Sequence, residues 1–265
     1  MENSRATERT RGQAMRTIIS LFLLLAGANP LYAGGMLFQS ATNRAVLLEL
    51  YSSEGCSSCP PAEAWFSQLK SNPRLWKDVV PVGFHVDYWD ELGWKDPFAT
   101  SSFSERQRAY SARWKSESVY TPGFVLNGKE WRGWFNRNGL PRPSIEPVGL
   151  LTASSDEGKK WMIHFAPTTR NGGTFDFHLA LLGCELSSDV KAGENRGRRL
   201  DHDFVVLTMH SAPAEGTGDV LIAEISSTPP ARFAPKRMAI AVWVTRRGEL
   251  EPIQAVGGWL TPTRP

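Results

Sequence analysis

The stretch Ser53-Glu54-Gly55-Cys56-Ser57-Ser58-Cys59-Pro60-Pro61 decides how this chain is read. A mostly apolar run, Val46-Leu47-Leu48-Glu49-Leu50-Tyr51, leads into it. Ala62-Glu63-Ala64-Trp65-Phe66-Ser67-Gln68-Leu69-Lys70 leads out of it and is compatible with a helix. The order is strand, turn, two cysteines two residues apart, helix. The first-turn N–H groups of a helix lack intrahelical partners, and with the helix dipole they favour a thiolate over a thiol. The thiolate is the attacking species, and a Cys-x-x-Cys pair at such a site has its pKa lowered below ~8.5. Pro60 and Pro61 are tolerated there because first-turn N–H groups need no acceptor inside the helix.

Working outward, residues 45–51 read as a buried strand. The helix runs from Cys56 or Pro60 to Leu69, and Asn72-Pro73 ends it. Val79–Val86 reads as a second strand. Strand–helix–strand of this length predicts a right-handed crossover and parallel pairing. Asp87–Phe98 is acidic and aromatic without a period, and reads as a long ordered loop. Ser102-Phe103-Ser104-Glu105 matches a capping box and opens a second helix, with Phe103, Tyr110 and Trp114 on a core face. Val119-Tyr120-Thr121-Pro122 follows. Then Gly123–Leu126 and Lys129–Arg132 flank Asn127-Gly128, a strong two-residue hairpin signal. Residues 135–160 turn polar, and Ser144 is placed to cap a short helix through Leu151. Beyond lie short strands at Trp161–Ala166, Thr174–Leu182, Asp203–His210, Asp219–Ile225, Met238–Thr245 and Ile253–Leu260. Strands without intervening helices predict an antiparallel sandwich.

Length and composition are those of a folded globular protein with room for two domains. The formal charge is +3. Residues 1–33 carry four of the Lys/Arg and two of the Asp/Glu, so without them it is +1. No concentrated basic face argues for nucleic acid. Arg9, Arg11 and Arg16 precede Ile18–Ala26, an apolar run of signal-peptide length, and Leu31-Tyr32-Ala33 before Gly34 is an acceptable cleavage site. Met15 is an alternative start, and an uncleaved N-terminal anchor is the competing reading. The predicted location is therefore periplasmic or secreted, with no stable membrane insertion after cleavage. In an oxidising compartment a Cys-x-x-Cys is either a disulfide or a catalyst of disulfide exchange. There are only 3 cysteines, Cys56, Cys59 and Cys184, which suits one reactive pair and one buried apolar thiol rather than a stapled scaffold.

Strand, Cys-x-x-Cys, helix, strand, helix, Thr-Pro and an Asn-Gly hairpin, in that order, resemble the thioredoxin fold over roughly residues 44–153. The wording of Glu49–Glu63, of His85-Val86-Asp87-Tyr88-Trp89-Asp90, of Tyr120-Thr121-Pro122 and of the Ala192–Asp203 stretch is similar to the DUF1223 family. The resemblance implies an exported member of the thioredoxin-like superfamily. Its fold would be an α/β thioredoxin-like domain, 34–153, followed by an antiparallel β-sandwich-like domain, 154–265. It further implies that Cys56 attacks and Cys59 resolves, with Pro122 in cis facing them. The Thr121 backbone would then pair with an extended substrate.

Three readings of the pair stay open: a redox catalyst, a permanent disulfide, and metal capture by Cys56, Cys59 and His85. Glu54 reads as a solvated loop residue, and Glu63 as a proton shuttle only if it points under Cys59. His85 also reads as a hydrogen-bonded core residue. His202, between Asp201 and Asp203, reads as a strand-edge polar residue or part of a carboxylate–histidine site. Glu194–Arg199 reads as a solvated turn, with a contact surface for a partner as the second reading. Tyr88 and Trp89 either cover the core or wall a groove beside the cysteines that selects a partner. The function expected is thiol–disulfide exchange on protein or small-thiol substrates without a cofactor, with a membrane redox partner as an option. The alternative is a binding module or a copper or zinc carrier without turnover. Cys56 and Cys59 are the expected catalytic residues, and Thr121, Pro122, Trp89 and Tyr88 the expected substrate contacts. The catalytic reading requires the Cys56 sulfur to be open to visitors.

Overall fold

The computed structural model describes residues 35–169, 172–216 and 219–260, which fall in one compact unit. The expected signal segment, 1–33, lies outside them. In chain order the strands are β1 (Met36–Gln39), β2 (Val46–Ser52), β3 (Val79–His85), β4 (Gly123–Leu126), β5 (Lys129–Glu130), β6 (Gly149–Ser155) and β7 (Lys160–Pro167). They continue with β8 (Phe175–Cys184), β9 (Leu186–Asp189), β10 (Arg199–His202), β11 (Val205–Pro213), β12 (Leu221–Ser226), β13 (Arg237–Arg246) and β14 (Pro252–Trp259). Two α-helices are described, α1 (Cys59–Ser67) and α2 (Ser101–Arg113). None is long and apolar enough to cross a membrane.

Local signals hold well. β2 and β3 pair in parallel, Val46 opposite Val79. All seven residues of each are buried, as a near-continuous apolar run requires. Asn127 (φ 48°) and Gly128 (φ 80°) make the tight turn between β4 and β5, a left-handed geometry that Asn-Gly favours. A Cβ on Gly128 would stand 2.8 Å from the Glu251 Cα. On α2, Phe103 packs edge-on against Phe84 and Tyr110 against Tyr51, so this face belongs to the core. The helix begins one residue early, after Thr100, and the capping bond expected from Ser102 is not made. The short helix expected after Ser144 is absent: β6 takes Gly149–Ser155, and its alternation of buried and half-buried residues is the signature of a strand.

The fold class is where the structure departs from expectation. The chain is not an α/β thioredoxin-like domain followed by a sandwich; it is mostly β, with only two α-helices among the described residues. The main sheet has eight strands in the order β14-β13-β8-β11-β3-β2-β4-β5 and so draws on both halves of the chain. The junction is β11 beside β3, parallel, with Val205 opposite Gly83 and the Gly83 N–H donating to the Phe204 carbonyl at 2.8 Å. Without β11, β3 would present an open row of backbone donors and acceptors. Periodicity in either half reports only its own strands, so it cannot reveal that they share one ladder.

A second sheet, β1-β6-β7-β12, lies against one face of the β8, β13 and β14 region. Trp161, Ile163 and Phe165 of β7 meet Phe177, Leu179 and Leu181 of β8 and Ile240, Val242 and Val244 of β13 in one buried core. The alternate residues Ala180, Leu182, Ala239, Ala241 and Trp243 face the other way, into the core under α1 and α2. The sandwich reading of the C-terminal strands thus holds in part, as one half of a larger architecture. β9 and β10 form a small antiparallel ribbon whose end carries His202 toward α1.

Candidate functional site: the thiol pair and the buried carboxylate–histidine cluster

Cys56 lies in the turn after β2 and Cys59 is the first residue of α1, with Ser58 in the capping position. Both are free thiols. The Cys56 Sγ stands 3.2 Å from the Ser58 Oγ and 3.7 Å from the Thr121 carbonyl oxygen. The Thr121–Pro122 peptide is cis. So the backbone before Pro122 does face the first cysteine, at the point where β4 begins.

The two sulfurs differ in chemistry. A hydrogen bond from Cys59, with further ones from Ser58 and Thr121, lowers the Cys56 pKa to about 6 against the cost of burial. Burial, and then the neighbouring Cys56, push the Cys59 thiol well up. A thiolate beside a held proton is the arrangement in which the first sulfur attacks and the second waits.

Accessibility runs against expectation. Cys56 is 1% exposed and Cys59 0%, although Ser57 and Ser58 above them are open to solvent. The loop after β3 packs beside the cysteine turn. The Trp89 indole N–H donates to the Thr121 Oγ1 at 2.8 Å, and a Cβ on Gly55 would collide with the Trp89 Cβ at 2.8 Å. Tyr88 donates to the Gln107 side chain at 3.1 Å, and Gln107 donates to the Tyr120 carbonyl at 2.7 Å. Trp89 and Tyr88 are thereby tied, directly and through Gln107, to Thr121 and Tyr120, the two residues before Pro122.

The β9–β10 loop, expected as a solvated turn, instead clamps the cysteine turn. Asn195 is 0% exposed, and its Nδ2 donates to the carbonyl oxygens of Glu54 and Cys56, both at 2.9 Å. The Glu194 carboxylate accepts from the Ser57 N–H at 2.8 Å. Nothing in a charged, glycine-flanked run distinguishes such an asparagine from an ordinary turn residue.

Beneath Cys59 lies a buried polar cluster. Glu63, on α1, accepts from the Ser52 hydroxyl and from the His202 Nδ1. The other His202 nitrogen, Nε2, bonds Glu54 Oε1 at 2.9 Å. Glu54 Oε2 accepts from the Trp94 indole at 2.7 Å. His85 Nδ1 bonds Asp96 Oδ2 at 2.7 Å. Burial pulls the His202 imidazole down, but Glu63 and Glu54 more than offset it and hold it up to about 10. Asp96 likewise holds His85 above its ordinary value against burial. Burial alone would raise Glu63 and Asp96, yet His202 and His85 keep them below the usual carboxylate range.

Several sequence expectations are corrected here. Glu54 is fully buried rather than solvated. His202 is a cluster residue at the end of β10, not an edge residue. Glu63 does point under Cys59, reaching it through Ser52. The set expected around a metal, Cys56, Cys59 and His85, is not the one assembled: His85 groups with Glu63 and His202. Cys184 is buried, accepts the Phe204 N–H at 3.2 Å, and has its thiol pushed by burial up to about 12, as suits an inert core residue.

Residues 47–245 match the family described as "Protein of unknown function (DUF1223)". No curated protein matches. Among solved structures, a crystal structure of an Agrobacterium tumefaciens protein from a structural genomics consortium is 24% identical, covering 84% of this chain and 98% of that one, with a TM-score of 0.56. HBP35 of Porphyromonas gingivalis is 11% identical over 85% of this chain and 78% of its own, with a TM-score of 0.54. At these identities the likeness is one of fold.

Proposed function

We propose, for a chain that belongs to the DUF1223 family, thiol–disulfide exchange through Cys56 and Cys59 on protein or small-thiol substrates, in the periplasm or outside the cell. The observation that carries the reading is the placement of the pair at the start of α1, with the Cys56 Sγ 3.7 Å from the Thr121 carbonyl of the cis Thr121–Pro122 peptide; the lowered Cys56 and raised Cys59 pKa values agree with it. The thiolate of Cys56 attacks one sulfur of a substrate disulfide. A Cys56–substrate bond forms, the substrate S–S bond breaks, and the second substrate sulfur leaves as a thiolate. Cys59 then attacks the Cys56 Sγ, closing the Cys56–Cys59 disulfide and releasing the first substrate sulfur. The Cys59 proton passes to a leaving sulfur, and two electrons move from the pair to the substrate. Run backwards, the same steps oxidise a dithiol, and the reduction potential of the pair sets the direction.

Substrate approach displaces Trp89 and places the incoming chain against Thr121 and Pro122, with Tyr88 at the rim. A Cys59→Ser variant tests the proposal by trapping the first intermediate. It should accumulate a mixed disulfide that Cys56→Ser does not form. The pair should also equilibrate with glutathione buffers above the ~−300 mV of inert structural bridges. A pair that stays locked below that potential, with no adduct in Cys59→Ser, would refute catalysis.

A further inference from the structure

We propose that Glu63, His85 and His202 form a binding site for a divalent metal ion of the zinc class, beneath the cysteine pair and separate from it. One ligand atom from each residue lies within 4.8 Å of the other two. A tetrahedral ion with bonds of ~2.0–2.2 Å holds its ligand atoms roughly 3.3–3.5 Å apart, so side-chain shifts of about 1 Å close these three on one ion. The ligands come from three regular elements: Glu63 from α1, His85 from the end of β3 and His202 from the end of β10. Exposures are 8%, 3% and 1%, so the ion would be shielded from bulk solvent, with one water completing the tetrahedron.

The surroundings support the ligands. Asp96 engages His85 Nδ1 and leaves Nε2 as the ligating nitrogen. Glu54 engages His202 Nε2 and leaves Nδ1, the nitrogen already turned to Glu63. A carboxylate on the far nitrogen is how metal-ligating histidines are oriented and made more basic. Both carboxylates are themselves fixed. Glu54 accepts from Trp94 at 2.7 Å, and Asp96 accepts from the N–H groups of Glu54 at 2.8 Å and Phe98 at 2.9 Å.

Two nitrogens and one carboxylate suit zinc, whereas calcium and magnesium call for oxygen-rich shells. The ion takes the place of the proton between His202 and Glu63 and of any proton on His85 Nε2, and these protons leave to solvent as it binds. The Glu63 Oε1 keeps Ser52, which stands next to Cys59. This inference does not rest on thiol turnover.

Because the ligands are buried, loading is tested through folding. Protein refolded from denaturant with zinc and dialysed should retain one zinc per chain by elemental analysis. The Cys56→Ser/Cys59→Ser double variant should retain the same amount. Refolding with cobalt(II) should give the visible bands of a tetrahedral nitrogen–oxygen site without a sulfur charge-transfer band. Asp96→Asn should weaken binding by about 10–100-fold. Retention no greater than that of His85→Gln overturns the proposal, as does loss of the metal together with the cysteines. Should His85→Gln fail to fold, anomalous scattering at the zinc edge from crystals of the refolded wild type decides. A peak among Glu63, His85 and His202 supports the site, and a peak elsewhere or none refutes it.

Discussion

Asn195 donates to the Cys56 carbonyl oxygen at 2.9 Å, across 139 positions of sequence, and the same amide nitrogen reaches the Glu54 carbonyl. A loop from the β9–β10 ribbon thereby sets the shape of the turn that carries Cys56. Asn195→Ala leaves two buried carbonyl oxygens without that donor, at a cost of about 1–3 kcal/mol. Chemical denaturation should show a lowered midpoint. The turn should also relax, so that the pH midpoint of Cys56 alkylation moves up toward the ordinary ~8.5. An unchanged midpoint would mean that the turn holds its shape without the clamp.

The pH dependence of Cys56 has a definite sign. Its folded pKa is lowered to about 6, below the ~8.5 of an unfolded chain. Between those values the unfolded state binds a proton that the folded state has released, so stability of the reduced protein rises with pH across this window. The contribution is lost as pH falls through about 6. Iodoacetamide should alkylate Cys56 with a midpoint near 6, and Cys59 should stay unreactive at neutral pH. In thermal melts, Cys56→Ser should flatten the rise.

Trp89 is tied by one hydrogen bond to the Thr121 hydroxyl, on the residue whose carbonyl faces the Cys56 sulfur. Trp89→Phe keeps a ring and loses the N–H, worth about 1 kcal/mol, or about five-fold in an opening equilibrium. Alkylation of Cys56 should quicken by that factor at fixed pH, while stability falls by a similar energy. If the rate does not move, the indole is core packing and not a cover.

Arg106 holds α2 to the main sheet. Its Nε and Nη2 meet the two Glu49 carboxylate oxygens at 2.9 and 3.0 Å, and the Tyr51 and Tyr110 hydroxyls complete the shell. Glu49 is 0% exposed. Arg106→Met leaves that carboxylate buried without its cation and should cost about 3–5 kcal/mol. Urea unfolding should show it as a lower midpoint with an unchanged slope. Glu49→Gln in the same background should recover part of the loss.

What the sequence determined by itself was local. The β2–α1–β3 crossover, the Asn127-Gly128 turn and the core face of α2 all follow from neighbours and short periods. Prolines and turn residues fix the backbone within a few positions, and apolar spacing marks a face. Tertiary structure alone decided the rest. Val205 lies opposite Gly83, which fuses two expected domains into one sheet. His202 and Asn195 arrive at the cysteine turn from far along the chain, and Glu54 and Glu63 are buried by partners that no local pattern names. A charged side chain looks solvated in a sequence because water is its default partner. Only when the folded chain supplies the opposite charge or a donor from a distant strand does burial become favourable.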